Sequence, residues 1–274
     1  MASTTAAPTS TTTGMATITM ATGTIITTTT DRMDLPEGDF FRLLAWTSPA
    51  YPVGGFSYSH GIEMAVEEGR IPNAPALTAY ITTVLMRGAG HVDGVMLCAA
   101  HDAAGEDVAH AASEDAAHAA SGDVALDAVA EDAFAWRGTA EHALEATQQG
   151  GSFASVTATT WPDPRFAAFA ARHRGRLTHA VAFGAAAGFA GLARRPALLA
   201  YLHGFAANLV SAGVRLVPLG QTDGQRVTAA LGPVVTAAAH AAEATDRDAL
   251  ATSAPLLDIL SMRHETQYTR LFRS

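Results

Sequence analysis

The fold of this chain is decided by two runs without a charged side chain, LTHAVAFGAAAGFAGLA at residues 177–193 and PALLAYLHGFAANLVSAGV at residues 196–214. The first run is alanine- and glycine-rich, only 17 residues long, and contains the pair Gly184 and Gly188, whose spacing also occurs where membrane helices pack. The second run carries polar residues near its middle, among them His203. A membrane hairpin is the alternative, but short length and small residues favour two buried central helices of a bundle.

Helical spacing of apolar residues continues on both sides of these runs, and no alternating strand pattern is found. We predict helices near residues 40–46, from Ser57 or Ser59 as the cap to Glu68, and at residues 75–87, 91–101, 124–148, 151–160, 178–193, 196–216, 223–245 and 255–272. Thr222 and Asp223 are predicted to cap the helix that follows them. The sequence therefore predicts an all-α, single-domain helical bundle of roughly eight to ten helices.

Two stretches differ from the rest in composition. Residues 1–35 are mostly Thr, Ala and Ser, so we expect a disordered extension before a domain at residues 36–274. Residues 102–132 hold nine acidic residues and no arginine, whereas the two signs balance elsewhere in a chain of net charge −9. We interpret residues 102–135 as an acidic, Ala- and His-rich insertion that forms a solvated, partly disordered loop.

The basic residues exclude several classes of chemistry. All 17 of them are arginine, so the chain cannot supply the lysine of a phosphate-binding loop, of a Schiff base or of the Ser-x-x-Lys hydrolases. The single cysteine, Cys98, excludes both a disulfide framework and a thiolate metal cluster within one chain. No basic patch indicates a nucleic-acid partner.

No catalytic set is found in the sequence. His264 and Glu265 begin like a zinc-protease box, but Tyr268 stands where the second histidine belongs. Ser57 and Ser59 lack the Gly-x-Ser-x-Gly spacing of a nucleophile elbow and are better explained as helix caps. We therefore expect a protein that is not an enzyme.

Histidines of the acidic insertion are the best candidates for a metal site. On a helix, His110, Glu114 and His118 would share one face, with His101 further away, and such ligands suit nickel or zinc. Three ligands spread over two turns converge poorly, so we favour the solvated loop and predict no metal ligands. Single histidines on apolar helices are expected to be core or surface residues: His91, His179 and His203.

The segment RHETQYTRLFRS at residues 263–274 has the composition of a binding surface. Tyr and Arg are enriched at interface hot spots, because each combines a large contact area with a directional polar group. Continued as a helix from Pro255, the segment would align apolar and aromatic side chains on one stripe: Leu257, Leu260, His264, Tyr268 and Leu271. We predict a partner-binding C-terminal helix at residues 255–274, with an amphipathic core helix as the alternative.

Three segments in order along the chain resemble the UreF family of urease accessory proteins: SPAYPVGGFSYSHGIE at residues 48–63, RLVPLGQTDGQ at residues 215–225 and RHETQYTRLFRS at residues 263–274. The resemblance implies an all-α, cytoplasmic protein, usually a homodimer, that binds a D- or H-type accessory protein. That pair would recruit a UreG-type GTPase and dock on apo-urease. The GTPase would couple hydrolysis to nickel insertion, which agrees with the missing phosphate-binding lysine here.

The same resemblance assigns expected roles to individual residues. Predicted partner-binding residues are Arg263, His264, Glu265, Tyr268, Arg270, Leu271, Phe272, Arg273, Glu63, Gln221 and Gln225. Predicted structural residues are Pro52, Gly54, Gly55, Ser57, Ser59, Gly61, Pro218 and Gly220. In the free protein we expect a mobile tail that becomes ordered on the D-type partner. No cofactor is expected to bind stably; nickel would only pass through, and neither a membrane nor a nucleic acid is an expected partner.

Two other functions are open at this point. The histidines and carboxylates of the acidic insertion are compatible with a protein that sequesters or stores nickel. A hydrolase with an unrecognised site is the second alternative. Neither explains the composition of residues 263–274.

Overall fold

The computed structural model describes residues 35–111 and 116–274, with side chains described outside residues 107–122. Its helices are α1 (Glu37–Trp46), α2 (Ile62–Glu67), α3 (Ala74–Arg87), α4 (Ala89–Ala111), α5 (Ala116–Ala135), α6 (Ala140–Thr160), α7 (Pro164–Arg172), α8 (His179–Phe189), α9 (Arg194–Leu216), α10 (Gln221–Ala244) and α11 (Pro255–His264). Short 3₁₀ turns occur at Gly55–Ser57 and Arg247–Ala249. No strand occurs in these described ranges, and the all-α prediction is confirmed.

Some predictions fall outside the described residues. The disorder predicted for residues 1–35 does so except at Leu35, which packs against the core. The side chains of His110, Glu114 and His118 also lie outside them.

The centre of the bundle is the contact between α4 and α8. Residues 180–189 of α8 are all buried. A Cβ at Gly184 would fall on the backbone carbonyl of Leu97, and one at Gly188 would fall on the carbonyl of His101. The small residues of the first charge-free run therefore allow two helical backbones to approach directly.

The membrane hairpin is not supported by these two helices. At about 1.5 Å per residue, the 11 residues of α8 are only about 16 Å long, half the thickness of a bilayer core. Within the described ranges, α9 alone is long and apolar enough to cross a membrane, and half of its most apolar window is buried inside the protein. It packs against α10, α4, α8 and α3, as a core helix of a bundle does.

The loop interpretation of residues 102–135 is wrong for the described part of this stretch. Residues 102–111 continue α4, and α5 packs along it. The reason is the apolar content between the acids: Ala103, Leu126 and Val129 are buried. Acidic side chains occupy the outer face, where Asp127 accepts hydrogen bonds from Arg172 and His173.

The helix predicted at residues 124–148 is interrupted between α5 and α6. Residues 136–139 are not helical, and within them the guanidinium of Arg137 donates to Asp93 of α4 at 2.5 Å. Thr139 then caps α6 by accepting from the amide of His142 at 3.1 Å. The boundary predicted between residues 148 and 151 is wrong, since α6 continues through Gly150, which packs against the backbone of residues 177–179.

Helix α7 was not predicted, although its start carries a clear local signal. Asp163 accepts hydrogen bonds from the amides of Arg165 and Phe166, and Pro164 occupies the first turn. Proline at this position loses no helical hydrogen bond. Phe166 and Phe169 then bury one face of the helix in the core.

Further predicted helix ends differ from the structure, among them that of the helix predicted at residues 178–193, since α8 ends at Phe189. Helix α11 ends at His264 rather than at residue 272, and beyond it the amides of Leu271 and Phe272 donate to Glu63 instead of to helical carbonyls. Of the two serines predicted as caps, Ser57 lies in a 3₁₀ turn and caps no α-helix, whereas Ser59 accepts from the amide of Glu63 in the first turn of α2. Helix α10 begins at Gln221 after Gly220, so Thr222 and Asp223 lie inside its first turn instead of capping it.

Candidate functional site: an anchored C-terminal segment

Residues 265–274, called here the tail segment, run beside residues 57–63 in a non-helical path. Buried Glu63 of α2 joins the two. Its Oε1 accepts from the amide of Leu271 at 2.6 Å and its Oε2 from the amide of Phe272 at 2.9 Å. Hydrogen bonds to a charged group are stronger than neutral ones, so one carboxylate fixes two consecutive peptide units of the tail segment.

His264 links the same carboxylate to a second one. Its Nε2 lies 3.0 Å from Glu63 Oε2, and its Nδ1 lies 2.8 Å from Glu141 Oε1. Arg270 approaches Glu141 at 3.3 Å from the tail segment. Burial raises the pKa of Glu141, against the opposing effects of His264 and Arg270. Hydrogen bonds at both ring nitrogens require either an imidazolium or a proton on one of the two carboxyl groups.

The last two residues of the tail segment are held by the serines of residues 57–59. The amide of Arg273 donates to the carbonyl of Ser57 at 2.8 Å. The carbonyl of Ser274 accepts from both the amide and the hydroxyl of Ser59, at 2.8 and 2.6 Å. Ser59 Oγ also accepts from the amide of Glu63 at 3.3 Å, so this serine serves the start of α2 as well.

The backbone at His60 is strained to fit this arrangement. Its φ of 55° is the one positive φ at a non-glycine residue in the described ranges, and Gly61 follows with φ 77°. Left-handed backbone is costly for a residue with a side chain and persists where neighbours hold it. Tyr80 donates to the carbonyl of His60 at 2.9 Å, and His60 Nδ1 lies 3.1 Å from Glu145 Oε2.

Arg215, the first residue of the family-like segment at residues 215–225, contacts both of the other family-like segments. Its guanidinium lies 4.3 Å from the ring centre of Phe272 and donates to the carbonyl of Phe56 at 2.7 Å. Burial lowers the pKa of Arg215. All three segments that carry the family resemblance therefore meet through one side chain, which the sequence interpretation had not singled out.

The predicted partner-binding residues divide into two groups by exposure. His264, Phe272 and Glu63 are buried within the protein. The remaining ones are exposed: Arg263, Glu265, Tyr268, Arg270, Leu271, Arg273, Gln221 and Gln225. Tyr268 is fully exposed and Leu271 is 66% exposed. Gln221 and Gln225 lie on the first two turns of α10 and take no part in the tail segment's hydrogen bonds, as far as the described residues go.

The predicted structural residues lie in two connecting loops. Gly54 has φ 74°, and a Cβ on Gly55 would fall on the side chain of Asn208. Pro52 precedes them in the loop between α1 and α2, whereas Pro218 and Gly220 lie in the turn between α9 and α10.

Metal-ligating side chains do not converge in the part of the chain that is described. There, no three His, Cys, Asp or Glu side chains come together in a way that could hold a metal ion. Glu63, Glu141 and His264 instead use their polar atoms on one another and on the tail segment.

Comparison with known proteins identifies the family. The UreF family model matches residues 71–232. The urease accessory protein UreF of Granulibacter bethesdensis is 51% identical over 240 residues, covering 87% of this chain and 95% of that protein. Those of Methylorubrum populi and Roseobacter denitrificans are 46% and 38% identical, covering 86% and 89% of this chain and 99% and 98% of the relatives. The chain therefore belongs to the UreF family, whose members are urease accessory proteins and not enzymes.

Proposed function

We propose that this protein acts in urease maturation as a scaffold that binds a D-type accessory protein through the exposed side chains of its tail segment. With that partner it recruits and regulates a UreG-type GTPase on apo-urease, where nickel is inserted. The proposal rests mainly on one observation: the side chains of Tyr268 and Leu271 are exposed, while Glu63 holds the backbone that carries them in place.

A fixed backbone makes these side chains better anchors. Binding a mobile segment costs ordering entropy, whereas a segment already held in its bound conformation avoids much of that cost. The hydrogen bonds from Leu271, Phe272 and Arg273 to residues 57–63 supply this order within the chain. The expectation of a tail that is mobile before binding is therefore replaced here by a preorganised one.

Exposure also separates direct from indirect roles. Tyr268 and Leu271 are the apolar anchors, and the arginines surround them with charge. Arg263 pairs with Glu68 at 2.5 Å on the surface, where such a pair is weak and is easily exchanged for a partner's carboxylate. Buried Glu63, His264 and Phe272 act by placing the tail segment.

The remaining parts of the proposal rest on the family and on the composition. A chain without lysine leaves GTP hydrolysis to the GTPase. Gln221 and Gln225 offer exposed amides for the GTPase or for nickel in transit. We place the protein in the cytoplasm and assign it a homodimeric state.

The test is the affinity of the full chain for the purified D-type protein. We expect Tyr268→Ala to raise the Kd about 30-fold, the equivalent of about 2 kcal/mol, because an exposed aromatic anchor is a hot-spot candidate. Thr269→Ala is the matched control, since this neighbour is also exposed and its methyl and hydroxyl contribute little area.

An unchanged Kd for both variants would place the D-type interface elsewhere. Recovery of the GTPase in the ternary complex is then measured with the same pair of variants. Loss of the GTPase with Tyr268→Ala while the D-type protein stays bound would move the tail segment to the GTPase interface.

A further inference from the structure

A small cavity lies inside the bundle, next to the strained residue His60. Its volume is about 20 Å³, and His60, His142 and His179 line it together. A buried site needs roughly 10–15 Å³ of such volume and two to four polar partners to hold one water molecule. The volume of the cavity is sufficient for one water molecule.

The three imidazoles offer the required partners. His60 Nε2, His142 Nε2 and His179 Nε2 are buried, and none of them has a hydrogen-bond partner among the described residues. An unmade hydrogen bond at a buried polar atom costs about 1–3 kcal/mol, so three such atoms around one cavity are an unfavourable arrangement unless something bridges them.

Ring orientation shows which atoms can donate. His60 Nδ1 faces Glu145 at 3.1 Å, and His142 Nδ1 faces Asp258 at 3.6 Å. A neutral ring with its hydrogen on Nδ1, toward a carboxylate, presents Nε2 as an acceptor. Burial holds the pKa of His142 well below its usual value and lowers that of His179 to about 4, so both rings are neutral near pH 7.

We propose that this cavity binds one ordered water molecule, which donates to His60 Nε2 and His142 Nε2 and accepts from the Nε2–H of His179. This uses both hydrogens of the water and one lone pair. His60 and His142 stack at 4.2 Å between ring centres, so the two imidazoles border the cavity together.

The site is connected to the tail segment by two hydrogen bonds. Glu145 Oε2 accepts from His60 and also from the hydroxyl of Ser274 at 3.0 Å. The water therefore fixes the His60 ring from the side opposite Glu145. His60 also carries the left-handed backbone described above, with φ 55°.

A crystal structure of the full chain at about 1.8 Å tests the proposal. We expect a solvent peak within about 3.2 Å of all three Nε2 atoms. His142→Phe keeps a stacked ring and removes one acceptor, so its peak should lose at least half its occupancy. His203→Phe, a change at an exposed imidazole outside the cavity, should leave the peak unchanged.

Three results would overturn it. One is a cavity without a solvent peak in the unmodified protein, and another is an unaltered peak in His142→Phe. The third is an anomalous nickel peak at the three nitrogens after a soak in nickel sulfate, because the occupant would then be a cation.

If His142→Phe does not fold, the proposal is tested by nitrogen-15 NMR of the unmodified protein at pH 7.5, which identifies the tautomer of each histidine. The proposal requires the Nδ1–H tautomer at His60 and His142 and the Nε2–H tautomer at His179. The opposite tautomer at His179 would contradict it.

Discussion

Helix α8 and the tail segment are both held by the body of the protein, but by different interactions. Helix α8 is fixed by shape, since its apolar residues are buried and its glycines admit the backbone of α4. The tail segment is fixed by charge, since one carboxylate, Glu63, takes two of its amides and a histidine. Apolar packing spreads stabilisation over many small contacts, whereas the polar anchor concentrates it in one side chain.

Of the substitutions considered, removal of the Glu63 carboxylate is expected to lower the free energy of unfolding most. Glu63→Ala leaves the amides of Leu271 and Phe272, together with His264, without their buried acceptor. Losing one partner of a buried charged network costs about 3–5 kcal/mol, which we expect in the free energy of unfolding measured in urea. Amide hydrogen exchange at Leu271 and Phe272 should rise to the rate of an unstructured segment.

Glu67→Ala provides the control, since this residue is exposed on the same helix. Surface changes of this kind usually stay within about 0.5 kcal/mol. Equal effects of the two substitutions would show that the tail segment is held by its side chains rather than by Glu63.

Adding a methyl group at the α4–α8 contact is expected to cause the next largest loss of stability. The Cβ of Gly184→Ala would meet the carbonyl of Leu97, a backbone atom that cannot rotate away. Overpacking costs about 1–3 kcal/mol, and we expect the upper end here because two helices must separate. Thermal unfolding by circular dichroism gives the measurement.

Gly151→Ala is the matched control. This glycine also lies inside a helix, α6, but a Cβ there would meet nothing within 4 Å. Alanine should stabilise the protein by about 0.5–1 kcal/mol through better helix propensity. A destabilised Gly151→Ala protein, or a neutral Gly184→Ala, would contradict the close-approach explanation.

Buried His179 predicts a dependence of stability on pH that is opposite in sign to that of Glu141, which contacts the tail segment. Burial lowers the pKa of His179 from 6.5 to about 4. The unfolded chain therefore binds the proton more readily, and the stabilisation is complete above pH 6.5 and is lost as the pH falls from 6.5 to 4. The full loss corresponds to about 3 kcal/mol, followed by urea unfolding at each pH.

His179→Gln should flatten this part of the profile, because glutamine does not titrate. The raised pKa of Glu141 acts in the opposite direction, since protonation of that carboxyl on acidification relieves its buried charge. An unchanged slope between pH 6.5 and 4 in His179→Gln would assign the dependence to other groups.

Local signals in the sequence sufficed for the helices that local interactions determine. The charge-free runs correctly predicted a buried pair, and Asp163-Pro164 held enough information to locate α7. The break between α5 and α6 also carried a local signal, the capping residue Thr139, which the prediction of one helix over residues 124–148 did not use. The path of the chain after α11 could not be predicted, because it depends on Glu63, which lies 208 residues before Leu271.

The sequence allowed us to predict which segments form the candidate site, but not how those segments contact one another. Family resemblance selected residues 48–63, 215–225 and 263–274, but spacing along the chain does not show that they touch. Nor does it show which members of each segment are buried, so Glu63 and Tyr268 looked equivalent. In the structure Glu63 holds the backbone of the tail segment, whereas the side chain of Tyr268 is fully exposed.

Substituting Arg215 is expected to change the free energy of unfolding least, but it tests the support of the tail segment most selectively. Arg215 supports that segment without a carboxylate. Arg215→Met keeps the aliphatic stem and removes both the contact with the ring of Phe272 and the hydrogen bond to Phe56. Together these are worth about 1–2 kcal/mol. Arg226→Met is the control, since that arginine is exposed and pairs only with Asp223 in the part of the chain described here.

If charge at Glu63 alone held the tail segment, Arg215→Met would lower the free energy of unfolding yet leave amide exchange at Leu271 unchanged. We expect instead that exchange at Phe272 accelerates about tenfold, the equivalent of about 1.4 kcal/mol, while Leu271 changes less. That gradient follows from the geometry, since Arg215 covers the ring of Phe272 and Glu63 still accepts from both amides. Equal acceleration at both amides would mean that the two supports act as one cooperative unit, and that the tail segment is released as a whole.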